Sequence, residues 1–156
     1  MNPRVILIHP PVVKPSEPPA GIARLSSRLS LGGIEHQLID ANIEGLLYLM
    51  RRTAAPPRNS GRWDVRAVKN LETNLKSLSR AATYQNKSFY SRAVSDINHV
   101  LSLAGKSCGV SLSLSDYINP GLSPVKSGDL FAAAETPEAN PFYPYFWDCI
   151  RPAVEK

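Results

Sequence analysis

The hydrophobic pattern changes period several times along the chain. Val5, Ile6, Leu7 and Ile8 form an unbroken apolar run between Arg4 and His9. A strand without a polar face suits a parallel sheet covered by helices on both sides, so residues 4–9 are expected to form a fully buried, central strand. Pro10 and Pro11 end it, since neither can donate a ladder hydrogen bond. The pattern then turns helical, with Ile22, Leu25 and Leu29 on one face and Arg24 and Arg28 toward the other. Pro18 and Pro19 set its start and Gly32-Gly33 its left-handed stop, which predicts a helix over 20–31. Residues 35–40 read as a second, shorter strand diluted by His36 and Gln37. Asn42 is then expected to cap a helix over 43–52 whose inner face is Ile43, Leu46, Leu47 and Met50. A right-handed crossover makes the two strands parallel neighbours, with helices 20–31 and 43–52 packed on the sheet.

From Thr53 to Gly61 the stretch TAAPPRNSG reads as a loop. Two helical patterns follow, one with Val68, Leu71, Leu75 and Leu78, the other with Val94, Ile97 and Leu101. A hairpin of that length exceeds what a crossover needs and reads as an insertion. Residues 109–118, GVSLSLSDYI, alternate polar and apolar positions and predict a strand or an extended loop. The proline- and aromatic-rich remainder predicts a helix near Asp129 to Glu135 and another from Tyr143, with Pro144 in its first turn. The expected fold class is α/β, a partial Rossmann or flavodoxin-like parallel sheet with a helical insertion. Its parts are a βαβα start over 1–52, a basic linker and helical hairpin over 53–107, and an extended, proline- and aromatic-rich part of the same domain over 108–156. Two clear strands and one weaker one fall short of the roughly four to six of a doubly wound sheet. A truncated domain is therefore expected, one whose open sheet edge or uncovered helix face would favour self-association.

With 156 residues, 43% of them apolar, the chain can bury one core. It has no charged lead into a short apolar stretch and no run approaching the ~20 apolar residues a membrane span needs, so a cytoplasmic protein without a span is expected. Cys108 and Cys149 lie too far apart, with no ligand-spaced neighbour, to suggest a metal site, and read as reduced thiols. The charge changes the picture more. Of the net +5, a local surplus of +6 sits between residues 51 and 80, where Arg51, Arg52, Arg58, Arg62, Arg66, Lys69, Lys76 and Arg80 meet only Asp64 and Glu72. Such a run reads as a solvated helix face, open to water or to a protein partner; nucleic-acid binding is not expected, since no nucleic-acid-binding fold signature accompanies it.

The matching pieces of a known family lie in the first third. They are an apolar strand closing on His9-Pro10-Pro11, the helix start Pro18-Pro19-Ala20-Gly21, the turn Gly32-Gly33, and a strand closing on Asp40 followed by Asn42 and Glu44. In this order the stretch resembles the N-terminal domain of radical SAM proteins that carry a cobalamin-binding-type domain ahead of the catalytic barrel, the group that includes anaerobic magnesium-protoporphyrin IX monomethyl ester oxidative cyclase. The resemblance implies a non-catalytic module, with cobalamin as a cofactor it could hold. It also implies a downstream radical SAM domain as partner, and in that parent protein an iron–sulfur cluster and S-adenosylmethionine. The chain departs from the family's cobalamin binders, because Asp-x-His-x-x-Gly is absent: Leu7 precedes His9 by two and Val12 follows by three. Two distant cysteines also cannot supply the three thiolates of a radical SAM cluster.

The physical sense of the pattern does not depend on the family. Ligands sit outside the carboxyl ends of parallel strands, so His9, Pro10 and Pro11 after the first strand and Asp40 and Asn42 after the second are candidate cofactor-binding residues. Gly21 joins them at a helix N-terminus whose amides could receive a phosphate at close approach. His9 reads as a polar strand end satisfied by loop backbone. Asp40 has two readings, a ribose acceptor or a helix N-terminal charge. His36 and His99 have no Ser, Cys or carboxylate at motif spacing and read as core or surface histidines. Phe142, Tyr143, Tyr145, Phe146 and Trp147 are expected to pack on the core or on the missing domain. No residue is assigned a catalytic or metal-binding role. The competing function is a protein-interaction domain without cobalamin that works through the basic 51–80 segment.

Overall fold

The computed structural model describes residues 5–11, 15, 17, 19–53 and 60–155. Arg4, Pro18, Arg58, half of the 10–19 loop and most of the 53–61 loop lie outside them. The chain begins with β1 (Val5–His9), α1 (Ala20–Leu31), β2 (His36–Asp40) and α2 (Ala41–Arg52). β1 and β2 pair in parallel, in a register running from Val5 opposite His36 to His9 opposite Asp40. The fold is mixed α/β and mostly helical, and among the described residues the parallel sheet has two strands.

The sheet corrects two expectations. β1 is partly, not fully, buried, and among the described residues it has one strand neighbour, so it is not central there. An apolar run indicates that a strand avoids water on both faces but says nothing of how many neighbours provide the cover. α1 occupies its expected span and touches both strands, yet it buries no side chain completely, and Leu25 remains 57% exposed. A sheet two strands wide is too narrow to cover the helix's apolar stripe. The stop of α1 is as expected: Gly33 takes φ +67° and Ile34 N–H donates to Leu29 O at 2.9 Å.

α3 (Arg62–Leu78), the short α4 (Ala81–Gln85) and α5 (Lys87–Lys106) form the helical hairpin. Asn86 caps α5 through Phe89 N–H at 3.0 Å. The main core joins this hairpin to α2: Leu46, Leu49 and Met50 meet Leu71, Val100 and Leu101. The segment 109–118, expected as a strand or extended loop, is an antiparallel hairpin of β3 (Ser111–Leu112) and β4 (Tyr117–Ile118). Its turn is closed by Ser113 N–H donating to Asp116 O at 2.9 Å. α6 (Ser127–Glu135), a 3₁₀ turn at Pro137–Ala139, α7 (Tyr143–Tyr145), a π turn over Phe146–Ile150 and α8 (Arg151–Val154) complete the chain. Among the described residues no helix is long and apolar enough to cross a membrane.

The end of α5 is set by close contact. A Cβ on Gly105 would stand 2.6 Å from Val110 O and 3.2 Å from Leu112 Cβ. The Gly105 carbonyl also accepts Cys108 N–H and Val110 N–H, which folds the chain back onto the helix. Gly105→Ala would gain up to about 1 kcal/mol in helix propensity, but must push backbone aside at a cost of about 1–3 kcal/mol. The expected net result is a loss of about 1–2 kcal/mol in chemical denaturation. A stabilised variant would show that the turn yields easily.

Candidate functional site

The parallel pairing fixes which groups meet at the carboxyl ends of β1 and β2. His9 and Asp40 are register partners, the loop beginning Pro10-Pro11 leaves from the first, and α2 starts directly after the second. The return of α1 from that loop puts Gly21 at the same end.

Asp40, not Asn42, caps α2. Its Oδ1 accepts Asn42 N–H at 3.2 Å and Ile43 N–H at 3.1 Å. The helix begins two residues earlier than expected because the acid nearest the strand takes the cap first, and Asn42 lies in the first turn, 2% exposed. Of the two readings of Asp40, the carboxylate serves the helix terminus. The Nε2 of His9 is enclosed by protein and has no hydrogen-bond partner among the described residues; half of the loop expected to satisfy it lies outside them. Gly21 is exposed, and a Cβ there would meet no atom of the described residues within 4 Å. Pro10 is exposed, and Pro11 borders a cavity of about 330 Å³ whose wall is continued by Phe142, Tyr143 and Phe146.

These residues do not fit a corrinoid held through histidine on cobalt. Nε2 of His9 has no open face, and the Asp40 carboxylate is engaged by α2. Hydroxocobalamin added to the chain is expected to show no histidine-dependent change in its visible absorption. A ligand-exchange shift that vanishes in His9→Ala would refute this placement.

His36 has a structural task. Its Nδ1 lies 3.0 Å from Ile34 O and must donate there, which leaves Nε2 in the neutral ring to accept the Ser26 hydroxyl at 2.7 Å. The ring ties α1 to β2.

A polar cluster that sequence spacing does not reveal links α3 to α5. His99 has a carboxylate partner after all, its Nε2 lying 2.6 Å from Asp64 Oδ1. The other Asp64 oxygen accepts Gly61 N–H at 2.9 Å at the start of α3. The His99 bond first, then that from Gly61, holds the Asp64 carboxyl below the usual carboxylate range. Trp63 stacks on His99 with centroids 3.9 Å apart and planes 9° from parallel. Its indole N–H donates to Asp96 Oδ1 at 3.1 Å, and Arg66 donates to the same oxygen at 2.8 Å. Asp96 is 1% exposed. Burial pushes its carboxyl up, but the Arg66 and Trp63 hydrogen bonds outweigh burial and hold it below its ordinary value. The signal lay in the helical pattern: Ala93, Asp96, Ile97 and Val100 share one face of α5, and an acid on an apolar face needs a partner. Nothing in local spacing pointed to Asp64, 35 positions from His99.

A third group joins α2 to the C-terminal turns. The Tyr48 hydroxyl donates to Asp148 and receives a bond from Arg52 at 2.9 Å, while the Tyr145 hydroxyl donates to Glu44 at 2.9 Å. The basic run is thus partly used within the chain: Arg51 pairs with Glu72 at 3.2 Å and Arg66 with Asp96. The exposed Arg51 pair contributes about 0–1 kcal/mol. Among the described residues no three His, Cys, Asp or Glu side chains are grouped to hold a metal ion. No protein-family model, no curated protein and no solved structure matches the chain.

Proposed function

We propose that the chain is the N-terminal, cobalamin-binding-type module of a radical SAM enzyme, a partial Rossmann-like unit that performs no chemistry itself. Its role is to shape the substrate or cofactor site of a catalytic barrel. The observation that carries this reading is the parallel β1–β2 pair, with His9 and Asp40 in register and two helices beginning at the same end. That arrangement presents loops and helix N-termini together, as ligand-facing modules of parallel α/β sheets do. The sequence order His9-Pro10-Pro11, Gly21, Gly32-Gly33 and Asp40 adds the family resemblance. Cobalamin, where such a module holds it, supplies alkyl-transfer or radical chemistry. This chain's part would be to bound the crevice with Pro10, Pro11 and the α2 terminus, with His9 kept off the metal.

The test is the coding sequence after Lys156 and the neighbouring genes. The expected finding is a Cys-x-x-x-Cys-x-x-Cys segment, in frame or in a gene whose product co-purifies with this chain and carries the visible absorption of an iron–sulfur cluster. Neither one being found would overturn the proposal.

A further inference from the structure

We infer that the cavity beside β1 is a binding site for a small, flat, uncharged and mostly apolar molecule with one hydrogen-bonding group. Its volume of about 330 Å³ lies at the lower end of the roughly 300–1,000 Å³ of small-molecule sites. A void of about 150 Å³ already admits benzene, so two fused rings fit the larger one. The shape of the ligand follows from the walls. Pro11, Pro137, Phe142 and Phe146 offer rings and flat faces, and Phe142 is 2% exposed and fixed in the main core, which makes this wall preformed.

The absence of charge follows from the lining, which among the described residues holds no Asp, Glu, Lys or Arg. Of the two polar members, Asn140 and Tyr143, the first sets the hydrogen bond of the ligand. Asn140 Oδ1 is occupied, accepting Phe142 N–H at 2.9 Å, which leaves the amide nitrogen to donate. A hydroxyl, carbonyl or ring nitrogen on the ligand would meet it. Ala133 lines the cavity from α6, a helix that buries none of its own side chains. A residue there can change without disturbing the core.

The inference rests on the reading that the carboxyl end of β1 faces a ligand. It does not rest on cobalamin or on the radical SAM assignment. The experiment titrates 2-naphthol into the full chain and follows backbone amide shifts. Saturable shifts are expected at Ala133, Tyr143 and Phe146, with a Kd of about 1 mM or tighter. Ala133→Trp, which fills the cavity, should weaken binding at least tenfold. Leu130→Trp, on the same helix but off the lining, should bind as wild type. Ala133→Ile is the second filling variant, read in the same way if tryptophan disturbs folding. Shifts that do not saturate, shifts centred on Trp63, or unchanged binding in both filling variants would overturn the inference. Such failure leaves the radical SAM reading intact, because that reading is decided by the downstream cysteines; their absence in turn leaves the naphthol result standing.

Discussion

Tyr145→Ala is expected to destabilise the chain by about 3–5 kcal/mol, the cost of emptying an aromatic site in a core. It should also open the parallel strand pair ahead of the helical hairpin. Tyr145 is 2% exposed and stands at the centre of a small second core with Ile39, Ala41 and Ile150, against which Ile6 and Ile8 of β1 are packed. Its ring meets Tyr48 at 5.6 Å and Phe146 at 5.8 Å, both edge to face. α2 accommodates it through Gly45, where a Cβ would lie 3.5 Å from the Tyr145 ring and 3.0 Å from Phe142. Burial first, then the bond to Glu44, pushes the hydroxyl well above the usual tyrosine range, so the neutral, donating form is the one the fold holds. Tyr145→Phe keeps the ring and loses one hydrogen bond to an exposed acid, at a cost of about 1 kcal/mol. Hydrogen exchange separates the two cores. In Tyr145→Ala the β1 and β2 amides should exchange faster while those of α5 keep their relative protection. Equal loss across α5 would show that the two cores open as one.

That second core also explains which parts of the fold could be read from residues. The two parallel strands and α1 were legible because the period of the apolar positions changes abruptly at His9 and Gly33, where proline fixes the backbone and glycine admits the left-handed turn. The extent of the sheet was not. Ile6 and Ile8 are covered by an aromatic segment about 140 positions away, and no local pattern encodes that partner. At 109–118 the alternation was real, since Val110 and Leu112 are buried, but two features were misread. Gly109 takes φ +68° and ends α5 by the same chemistry as Gly33, with Val110 N–H donating to Gly105 O at 3.1 Å. The reversal at Ser113 to Asp116 uses the Ser113 hydroxyl, which donates to the Asp116 backbone carbonyl and accepts Ser115 N–H, without the glycine or proline that marks most turns. In the candidate site, the residues at the strand ends were legible from topology alone. The enclosure of His9 was not, because it depends on packing around the ring.

Arg66→Met is expected to cost about 2–3 kcal/mol at pH 7. Breaking a buried ion pair from one side typically costs about 3–5 kcal/mol, and the lower figure applies because the Arg66 side chain is 55% exposed and water screens it, while the Asp96 side chain is 2% exposed. The loss should depend on pH, and its direction follows from the carboxyl. In the wild type Asp96 is held below its ordinary value, so its contribution to stability is present above the unfolded carboxyl range, about pH 4. It disappears as the pH falls through the lower folded value. Without Arg66, burial is opposed mainly by the Trp63 hydrogen bond, the carboxyl moves upward, and at neutral pH the variant carries a buried charge short of one partner. Protonation removes that charge, so the gap between the two proteins should be widest near pH 7 and shrink toward pH 3. Asp64, held low in both proteins, largely cancels in the difference. Urea unfolding of both proteins from pH 3 to 8 measures the gap directly. Asp96→Asn in the Arg66→Met background keeps an acceptor for Trp63 and should recover part of the loss at pH 7. A gap that stays constant with pH, or no recovery in the double variant, would mean that Arg66 stabilises the hairpin through its hydrocarbon stem and not through its charge.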